Sequence, residues 1–217
     1  QNLGESEGMG KIEFAYYKLA KEAGIEISES TLHEENGRFH FLTRRFDRTD
    51  NGEKIHMQTF SALAGIDYKI QKASNYETLF RVMKRLQLSY KQYEQQYRRM
   101  LFNVVARNHD DHVKNFSFLM NRDGNWQISP AYDICFSYSE GGTWTNVHQS
   151  SMNGKYDNFT KDDLLDFAKK FGIKKAPAIL QEVVSAVNQW SKIANEIDIP
   201  QEKIQYINKY LRTKDFY

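Results

Sequence analysis

The sequence predicts an α+β fold in which short β-hairpins are set into a mostly helical chain. Strand-like runs flank Gly-containing turns in two places, within residues 25–46 and within residues 116–129. From residue 59 onwards, apolar residues mostly recur at the spacing of amphipathic helices. We expect a smaller part, residues 1–58, and a helical part, residues 59–217, with a hairpin region at residues 108–133. Because 40% of the 217 residues are hydrophobic, the chain can bury a substantial core.

The smaller part opens with a predicted helix over residues 13–23. Its apolar side chains recur at helical spacing, and Gly24 is expected to end it. Two strands are predicted next, at residues 25–32 and 38–46. The Asn36-Gly37 pair between them favours a tight hairpin turn, so these strands should pair with each other.

The helical part contains several predicted helices with recognisable starts. Ser74 or Asn75 is a suitable N-cap for the first, and Ser89 for the second. Thr160 and Asp163 form a capping-box pattern for the third. The predicted helices cover residues 75–86, 89–106, 160–171, 176–196 and 200–211.

The hairpin region begins with the polar run Asn-His-Asp-Asp-His-Val-Lys-Asn-Phe at residues 108–116. Two strand-like runs follow, at residues 116–120 and 126–129, around a Gly-containing turn. A hairpin brings its far end back beside its beginning. Asp133, which follows the second run, is therefore expected next to Asn115.

Three of these side chains match the chemistry of phosphoryl transfer. Asp110 and Asn115 have the D-x-x-x-x-N spacing of a protein-kinase catalytic loop. The reaction needs a carboxylate that orients the attacking hydroxyl and cations that neutralise the phosphate oxygens. Mg²⁺ prefers oxygen ligands, which Asn115 and Asp133 supply. The sequence therefore predicts a protein-kinase-like fold with short β-hairpins at the catalytic and hinge regions, and with Asp110 as the catalytic carboxylate.

Two other interpretations of the same residues stay open. Asp and Asn are common in turns, so the run is also compatible with a purely structural polar loop. Alternatively, His109, Asp110 and His112 are suitable ligands for a transition metal. The only cysteine, Cys135, supplies no thiolate set for a structural zinc site, which makes that alternative the weaker one.

Composition and charge argue against several classes of protein. A net charge of +2 does not favour direct nucleic-acid binding. The stretch rich in Lys, Arg and Tyr at residues 81–99 fits the solvated face of amphipathic helices better than an RNA or DNA patch. The sequence has neither a run of roughly eighteen apolar residues nor a signal-like leader. It therefore predicts no membrane association and a cytoplasmic location.

Several motifs together resemble those of the HipA-type toxin serine/threonine kinases. The clearest are Asp-x-His-x-Lys-Asn-Phe at residues 110–116 and Pro-x-Tyr-Asp at residues 130–133. Further matches are the helix around Glu13, Arg-Phe-Asp-Arg at residues 45–48, Met-Gln-Thr-Phe at residues 57–60, and a segment at residues 148–155. The resemblance covers nearly the whole chain.

The resemblance implies a helical catalytic C-terminal lobe that uses ATP and Mg²⁺. It also implies a protein substrate in translation, such as an aminoacyl-tRNA synthetase, and an antitoxin partner that can bind DNA. Asp110 matches the catalytic aspartate of the family, and Asn115 and Asp133 match its magnesium ligands. His112 and Lys114 match positions in the catalytic loop and at the ATP phosphates.

The resemblance extends to the nucleotide pocket, with one departure. Thr43, Arg44, Arg45 and Phe46 match the hinge whose backbone meets the adenine edge, and Gln58 matches a pocket position. Glu13 matches the helix glutamate that pairs with a strand lysine near the nucleotide. Arg44 stands where the family pattern has an acidic residue, so only a backbone role carries over to it.

A second departure lies at the start of the chain. Residues 4–10 fit no Gly-rich phosphate loop, and no strand lysine precedes Glu13. Since the chain also begins at Gln1, we expect residues 1–58 to be the remnant of an N-terminal lobe, in a fragment or one half of a split kinase. The alternative function is a kinase-like binding or regulatory module that lacks a phosphate loop. Residues 137–158 are expected to form either an activation loop or an ordinary surface loop.

Overall fold

The computed structural model describes residues 8–70 and 72–216, so most of the segment compared with phosphate loops lies outside the described residues. The helices are α1 (Met9–Glu22), α2 (Phe60–Ala64), α3 (Tyr76–Arg85), α4 (Tyr90–Val105), α5 (Lys161–Lys170), α6 (Ala176–Val187), α7 (Trp190–Glu196) and α8 (Gln201–Tyr210). The strands are β1 (Ser30–Glu35), β2 (Arg38–Thr43), β3 (His56–Thr59), β4 (Ser74–Asn75), β5 (Ser117–Met120), β6 (Trp126–Ile128) and β7 (Ser150–Ser151). The α+β prediction is confirmed.

The first hairpin forms where the Asn-Gly signal predicted it. Asn36 and Gly37 both have positive φ angles, 51° and 75°, and their two-residue turn pairs Glu35 with Arg38. The first strand begins at Ser30, however, and not at residue 25. Residues 26 and 27 pair elsewhere: Glu26 accepts a hydrogen bond from the backbone N–H of Ala131, beside a bridge from Ile27 to the same residue.

The helix α1 packs closely against this hairpin. A Cβ atom at Gly10 would lie 2.2 Å from the carbonyl oxygen of Phe39, so only glycine permits the approach. The opposite side of α1 buries Tyr16 and Leu19 completely. The ring of Tyr16 meets that of Trp190 with the centroids 5.6 Å apart, which joins α1 to the C-terminal helices.

The second hairpin, formed by β5 and β6, extends into a three-stranded antiparallel sheet in the order β3-β5-β6. Gln58 lies opposite Phe118, and Phe118 lies opposite Ile128. The boundary predicted between residues 58 and 59 therefore falls inside a strand that pairs with the second hairpin. The division into two parts stays a prediction.

Most predicted helices form with the expected caps. The side chain of Asn75 accepts the N–H of Thr78 at the start of α3. Thr160 and Asp163 form both hydrogen bonds of a capping box at the start of α5. Ser89 stands at the N-cap of α4 but makes no side-chain capping bond.

One predicted helix is wrong. Residues 176–196 form α6 and α7 with a break at Asn188 and Gln189. The break lets Trp190 enter the core, where it is 1% exposed and its Nε1 donates to the carbonyl of Ile204. The backbone N–H groups of Asn188 and Gln189 still donate to the carbonyls of Val184 and Ala186, so the interruption costs little, whereas burial of a large aromatic ring is worth a few kcal/mol.

The helix α4 lies at the centre of the core. In its C-terminal half, from Tyr97 to Val105, every residue except Arg98 is buried, and it packs against α6. A helix packed in this way offers a rigid support at its end, and the polar run begins three residues beyond it, at Asn108. None of the helices within residues 8–70 and 72–216 combines the length and apolar character that a membrane span requires.

Candidate active site

The polar loop departs from the C-terminal end of α4. Arg107 adopts a left-handed conformation, with φ 57°, and the backbone N–H of Asn108 bonds back to the carbonyl of Asn103. This reversal ends the helix and directs the next residues towards β5. The buried helix therefore fixes the position from which the loop that carries Asp110 starts.

Asp111, 1% exposed, is the buried anchor of the loop. Its Oδ1 accepts the backbone N–H groups of Gln149 at 2.7 Å and Ser150 at 3.2 Å. Its Oδ2 accepts the hydroxyl of Tyr76 at 2.7 Å and Nδ1 of His148 at 3.0 Å. Asp111 was not among the predicted site residues, and the only signals for it were its place in an Asp-Asp pair and the His-Gln pair at 148–149.

Asp110 faces the other way and keeps its carboxylate free of strong partners. Its nearest counter-charge is Nε2 of His112, which is 3.8 Å from Oδ1. Burial raises the pKa of Asp110, the charges of Asp133 and Asp111 raise it further, and His112 opposes them. The backbone of Asp110 is fixed at both ends, since its N–H donates to Ser137 Oγ and its carbonyl accepts Nδ2 of Asn115.

Asn115 and Asp133 line one small cavity, of about 20 Å³, together with Asn108, Asp111 and Tyr132. This volume is about that of one water molecule or one ion. The hairpin brings the two residues together through Tyr132, whose hydroxyl lies 2.5 Å from the carbonyl of Lys114 and 2.5 Å from Ser117 Oγ. Asp133 itself has φ 53°, a conformation that aspartate tolerates better than most residues.

A third carboxylate lies near this cavity. Burial, and then the charge of Asp133, raise the pKa of Glu13 on α1. Among the residues that the structure describes, no lysine or arginine forms an ion pair with Glu13, Asp110 or Asp133. The cavity lining itself carries two carboxylates, Asp111 and Asp133, and one guanidinium, Arg99, so its net charge is negative and favours a bound cation. The carboxylate of Asp133 and the amide oxygen of Asn115 are ligand types that Mg²⁺ accepts, so the residues fit the ion that the resemblance implies.

The transition-metal alternative has no geometric support. Within the described ranges, no three His, Cys, Asp or Glu side chains are grouped as a metal site requires. His109 is fully buried, and its Nδ1 lies 3.1 Å from the carbonyl of Thr145. Its ring meets that of His148 with the centroids 4.0 Å apart. Burial, followed by the neighbouring His148, lowers the pKa of His109, which is therefore a neutral structural residue.

His112 lies beside the free carboxylate of Asp110, and Lys114 follows two residues later. Nδ1 of His112 accepts the backbone N–H of Lys114 at 3.3 Å, which leaves Nε2 on the side of Asp110. Lys114 is exposed, and its ammonium group lies 3.8 Å from the centre of the Tyr68 ring, a cation–π contact. Both residues therefore lie on the outer side of the polar loop.

The predicted hinge residues lie at the end of β2 and directly after it. The backbone N–H of Arg44 donates to the carbonyl of Glu29, and its guanidinium pairs with Asp50. That N–H is therefore not open to a ligand. Arg45 makes two hydrogen bonds to Asp47, so its guanidinium is also engaged.

Of the other predicted pocket residues, Phe46 contacts a residue that lines the cavity. Its ring lies against that of Tyr132, with the centroids 5.3 Å apart. Gln58 is half-buried in β3, on the sheet that contains the second hairpin. Thr43 ends β2, and its Oγ1 accepts the hydroxyl of Ser30.

The segment at residues 137–158 is only partly a surface loop. Ser139 and Thr143 are exposed, but Ser150 and Ser151 are buried in β7, which pairs in parallel with β4. His148 is buried against Asp111. The second half of the segment therefore supports the polar loop at residues 108–116 through Asp111.

Comparison with known proteins agrees with the motifs. The model of the HipA-like C-terminal domain family matches residues 2–191. A Haemophilus influenzae protein named "Putative kinase" is 21% identical over 236 residues, which cover 93% of this chain and 68% of the relative. "Putative kinase Y4dM" of Sinorhizobium fredii is 30% identical over 179 residues, which cover 75% of this chain and 43% of the relative.

Two solved structures share the fold. HipA of Shewanella oneidensis, solved with HipB and operator DNA, superposes with a TM-score of 0.76 at 17% identity. The match covers 96% of this chain and 55% of that one, so this chain spans about half the length of HipA. The Helicobacter pylori proinflammatory kinase CtkA superposes with a TM-score of 0.60 at 14% identity and covers 95% of this chain and 82% of its own. The fold is therefore kinase-like.

Proposed function

This chain belongs to the family of HipA-like C-terminal domains, and from that premise we propose that it is the catalytic core of a serine/threonine protein kinase. In this proposal it transfers the γ-phosphate of ATP to a protein hydroxyl. One observation carries it. The end of a buried helix and the two ends of one hairpin bring a free carboxylate, Asp110, beside Asn115 and Asp133, which share a cavity of ionic size.

Each proposed role follows from the position of the side chain. Asp110 orients the substrate hydroxyl and accepts its proton, because its carboxylate is free of strong partners while its backbone is fixed. Asn115 and Asp133 would hold Mg²⁺, which supplies positive charge against the phosphate oxygens when it is bound. Lys114 adds an exposed positive charge four residues after Asp110, and Nε2 of His112 lies 3.8 Å from the Asp110 carboxylate.

The nucleotide is proposed to bind on the side of Phe46 and Gln58. Phe46 leads from β2 to Tyr132, next to the proposed metal ligands, and is an apolar surface for a base. Thr43, Arg44 and Arg45 contribute backbone groups only, with the N–H of Arg44 already taken by Glu29. Glu13 is proposed to pair with a cation close to the phosphates, since its half-buried carboxylate has no basic partner in the described part of the chain.

The biological setting is a further part of the proposal. HipA of Shewanella oneidensis was solved with HipB and operator DNA in a toxin–antitoxin system. We extend that arrangement to this chain as a toxin with a DNA-binding antitoxin partner. Its proposed substrate is a protein of translation, such as an aminoacyl-tRNA synthetase.

Replacement of Asp110 by asparagine tests the proposed reaction. We expect Asp110→Asn to abolish transfer from radiolabelled ATP to serine- and threonine-containing acceptors, since only the carboxylate is lost. Its free energy of unfolding should not fall, because burial and neighbouring carboxylates already disfavour the charged form. Asp123→Asn, in the exposed turn of the same hairpin, is the matched control and should retain activity.

The outcome also separates the two classes of function. If Asp110→Asn transfers phosphate at an undiminished rate, Asp110 has no role in the reaction. If the unaltered full-length protein binds ATP with Mg²⁺ but transfers no phosphate, the chain is instead a binding module with a kinase fold.

A further inference from the structure

We propose that Ser137 is a positioning residue for Asp110 and that it acts through a buried chain of hydrogen bonds that ends on Asp111. This inference rests on the proposed function, because it explains how the free carboxylate is held for the reaction. Ser137 comes four residues after Asp133. The backbone N–H of Ser137 also bonds to the carbonyl of Arg107, 3.2 Å away, so the serine is fixed against the start of the loop.

The chain of hydrogen bonds has five steps that all donate in one direction. Asp110 N–H donates to Ser137 Oγ (2.9 Å), Ser137 Oγ to Asn108 Oδ1 (3.1 Å), Asn108 Nδ2 to Asn103 Oδ1 (2.9 Å), Asn103 Nδ2 to Tyr76 Oη (3.0 Å) and Tyr76 Oη to Asp111 Oδ2 (2.7 Å). Successive bonds of the same direction polarise one another and are cooperative.

Burial makes the three inner steps, from Asn108 to Asp111, costly to lose. Asn103 and Asn108 are 4% and 3% exposed, and an amide buried without partners is strongly unfavourable. Burial, followed by the charge of Asp111, raises the pKa of Tyr76 well above its ordinary value, so its hydroxyl remains a donor. The direction of the chain is thus fixed at the Asp111 end.

The two ends of the chain are consecutive residues. Because the chain starts at Asp110 and finishes at Asp111, it closes a ring through the peptide unit between them. A change in the backbone conformation of Asp110 would break the bond to Ser137, and a rotation of the Asp111 side chain would break the bond from Tyr76. Ser137 is the step nearest to Asp110, and it also belongs to the segment that carries Asp133. The ring therefore sets the orientation of the catalytic carboxylate relative to the proposed metal site.

The test compares Ser137→Ala with Ser137→Thr, which restores the hydroxyl, and with Ser139→Ala, an exposed serine two residues away. Hydrogen exchange of the Asp110 amide, followed by NMR in the full-length protein, reports on the bond itself. We expect Ser137→Ala to speed this exchange by about tenfold. The turnover number for phosphate transfer should fall by about tenfold or more, with the KM for ATP changed less than about twofold. Ser137→Thr should recover both quantities, and Ser139→Ala should alter neither.

Each departure from this result has a definite meaning. Unchanged exchange at Asp110 in Ser137→Ala would overturn the hydrogen-bonded ring. Faster exchange with an unchanged turnover number would overturn the positioning role in an active kinase. Faster exchange in a protein whose unaltered form transfers no phosphate would leave the ring standing and would count against the proposed function.

Discussion

At the scale of residues, the site depends on two consecutive aspartates with opposite environments. Asp111 is enclosed and accepts four hydrogen bonds, whereas Asp110 is half-buried and has no strong partner on its carboxylate. The spacing to Asn115 identified Asp110 in the sequence. It could not identify Asp111 as the anchor, because the partners of that residue lie 35 to 39 positions away along the chain.

Removal of the anchor should destabilise the whole protein. Asp111→Ala leaves the hydroxyl of Tyr76, Nδ1 of His148 and two backbone N–H groups buried without an acceptor. We expect the free energy of unfolding to fall by roughly 3–5 kcal/mol. Urea denaturation measures it, with the exposed Asp123→Ala as a control that should change it by less than about 0.5 kcal/mol. A loss below about 1 kcal/mol would mean that the buried network contributes little.

The ion pairs of Asp47 should give a small dependence of stability on pH. Hydrogen bonds from Arg45, with the nearby charges of Arg45 and Arg48, hold the pKa of Asp47 below its ordinary value of 3.8, although burial opposes them. A carboxylate with a lowered pKa stabilises the fold above about pH 4 and loses that contribution as the pH falls through the lowered pKa. The effect should stay below about 1 kcal/mol, because solvent screens exposed pairs.

Asp47→Asn is the matched variant for this effect. Unfolding curves of the two proteins should differ at pH 6 to 7 and converge near pH 3. If the difference in the free energy of unfolding between the two proteins stays constant from pH 7 to pH 3, the carboxylate stabilises the fold by something other than its charge.

At the scale of elements, local signals predicted what depends on local contacts. Asn36-Gly37 and the capping box of Thr160 and Asp163 act over three or four residues, and both form as expected. Strand pairing at residues 25–29 was predicted wrongly, because Glu26 and Ile27 pair with Ala131, more than a hundred positions away. The break before Trp190 likewise depends on a tertiary contact with Tyr16 and Ile204.

Two N-caps provide a matched test of this local reasoning. Thr160 Oγ1 accepts the N–H of Asp163, whereas Ser89 stands at the N-cap of α4 without such a bond. We expect Thr160→Ala to lower the free energy of unfolding by about 1 kcal/mol and Ser89→Ala to change it by less than half as much. Thermal and urea denaturation of both variants measure the difference. Equal losses would imply that the capping bond of Thr160 is not what stabilises α5.

At the scale of the whole molecule, the candidate site joins parts that are distant in sequence. The helix α1 brings Glu13, the buried end of α4 supports Asp110, and the hairpin returns Asp133 to Asn115. The return of Asp133 to Asn115 was predictable, because it depends only on a local hairpin. The approach of Glu13 was expected only from the family resemblance, since α1 reaches the site by packing against α6 and α7, and no pattern in a single sequence reports that packing.

Because the site draws on several parts of the fold, a ligand bound there should stabilise the protein against global unfolding. A ligand at about 100 times its dissociation constant adds about 2.7 kcal/mol to the free energy of unfolding. We expect ATP with Mg²⁺ to raise the melting temperature of this chain by several degrees, and ATP with EDTA to raise it much less.

Asp133→Ala should remove most of the difference in melting temperature between these two conditions, because one of two protein ligands for the ion is lost. Asp123→Ala should keep it. Equal stabilisation by ATP with and without the metal in the unaltered chain would contradict a magnesium site at Asn115 and Asp133, whatever the rate of phosphate transfer.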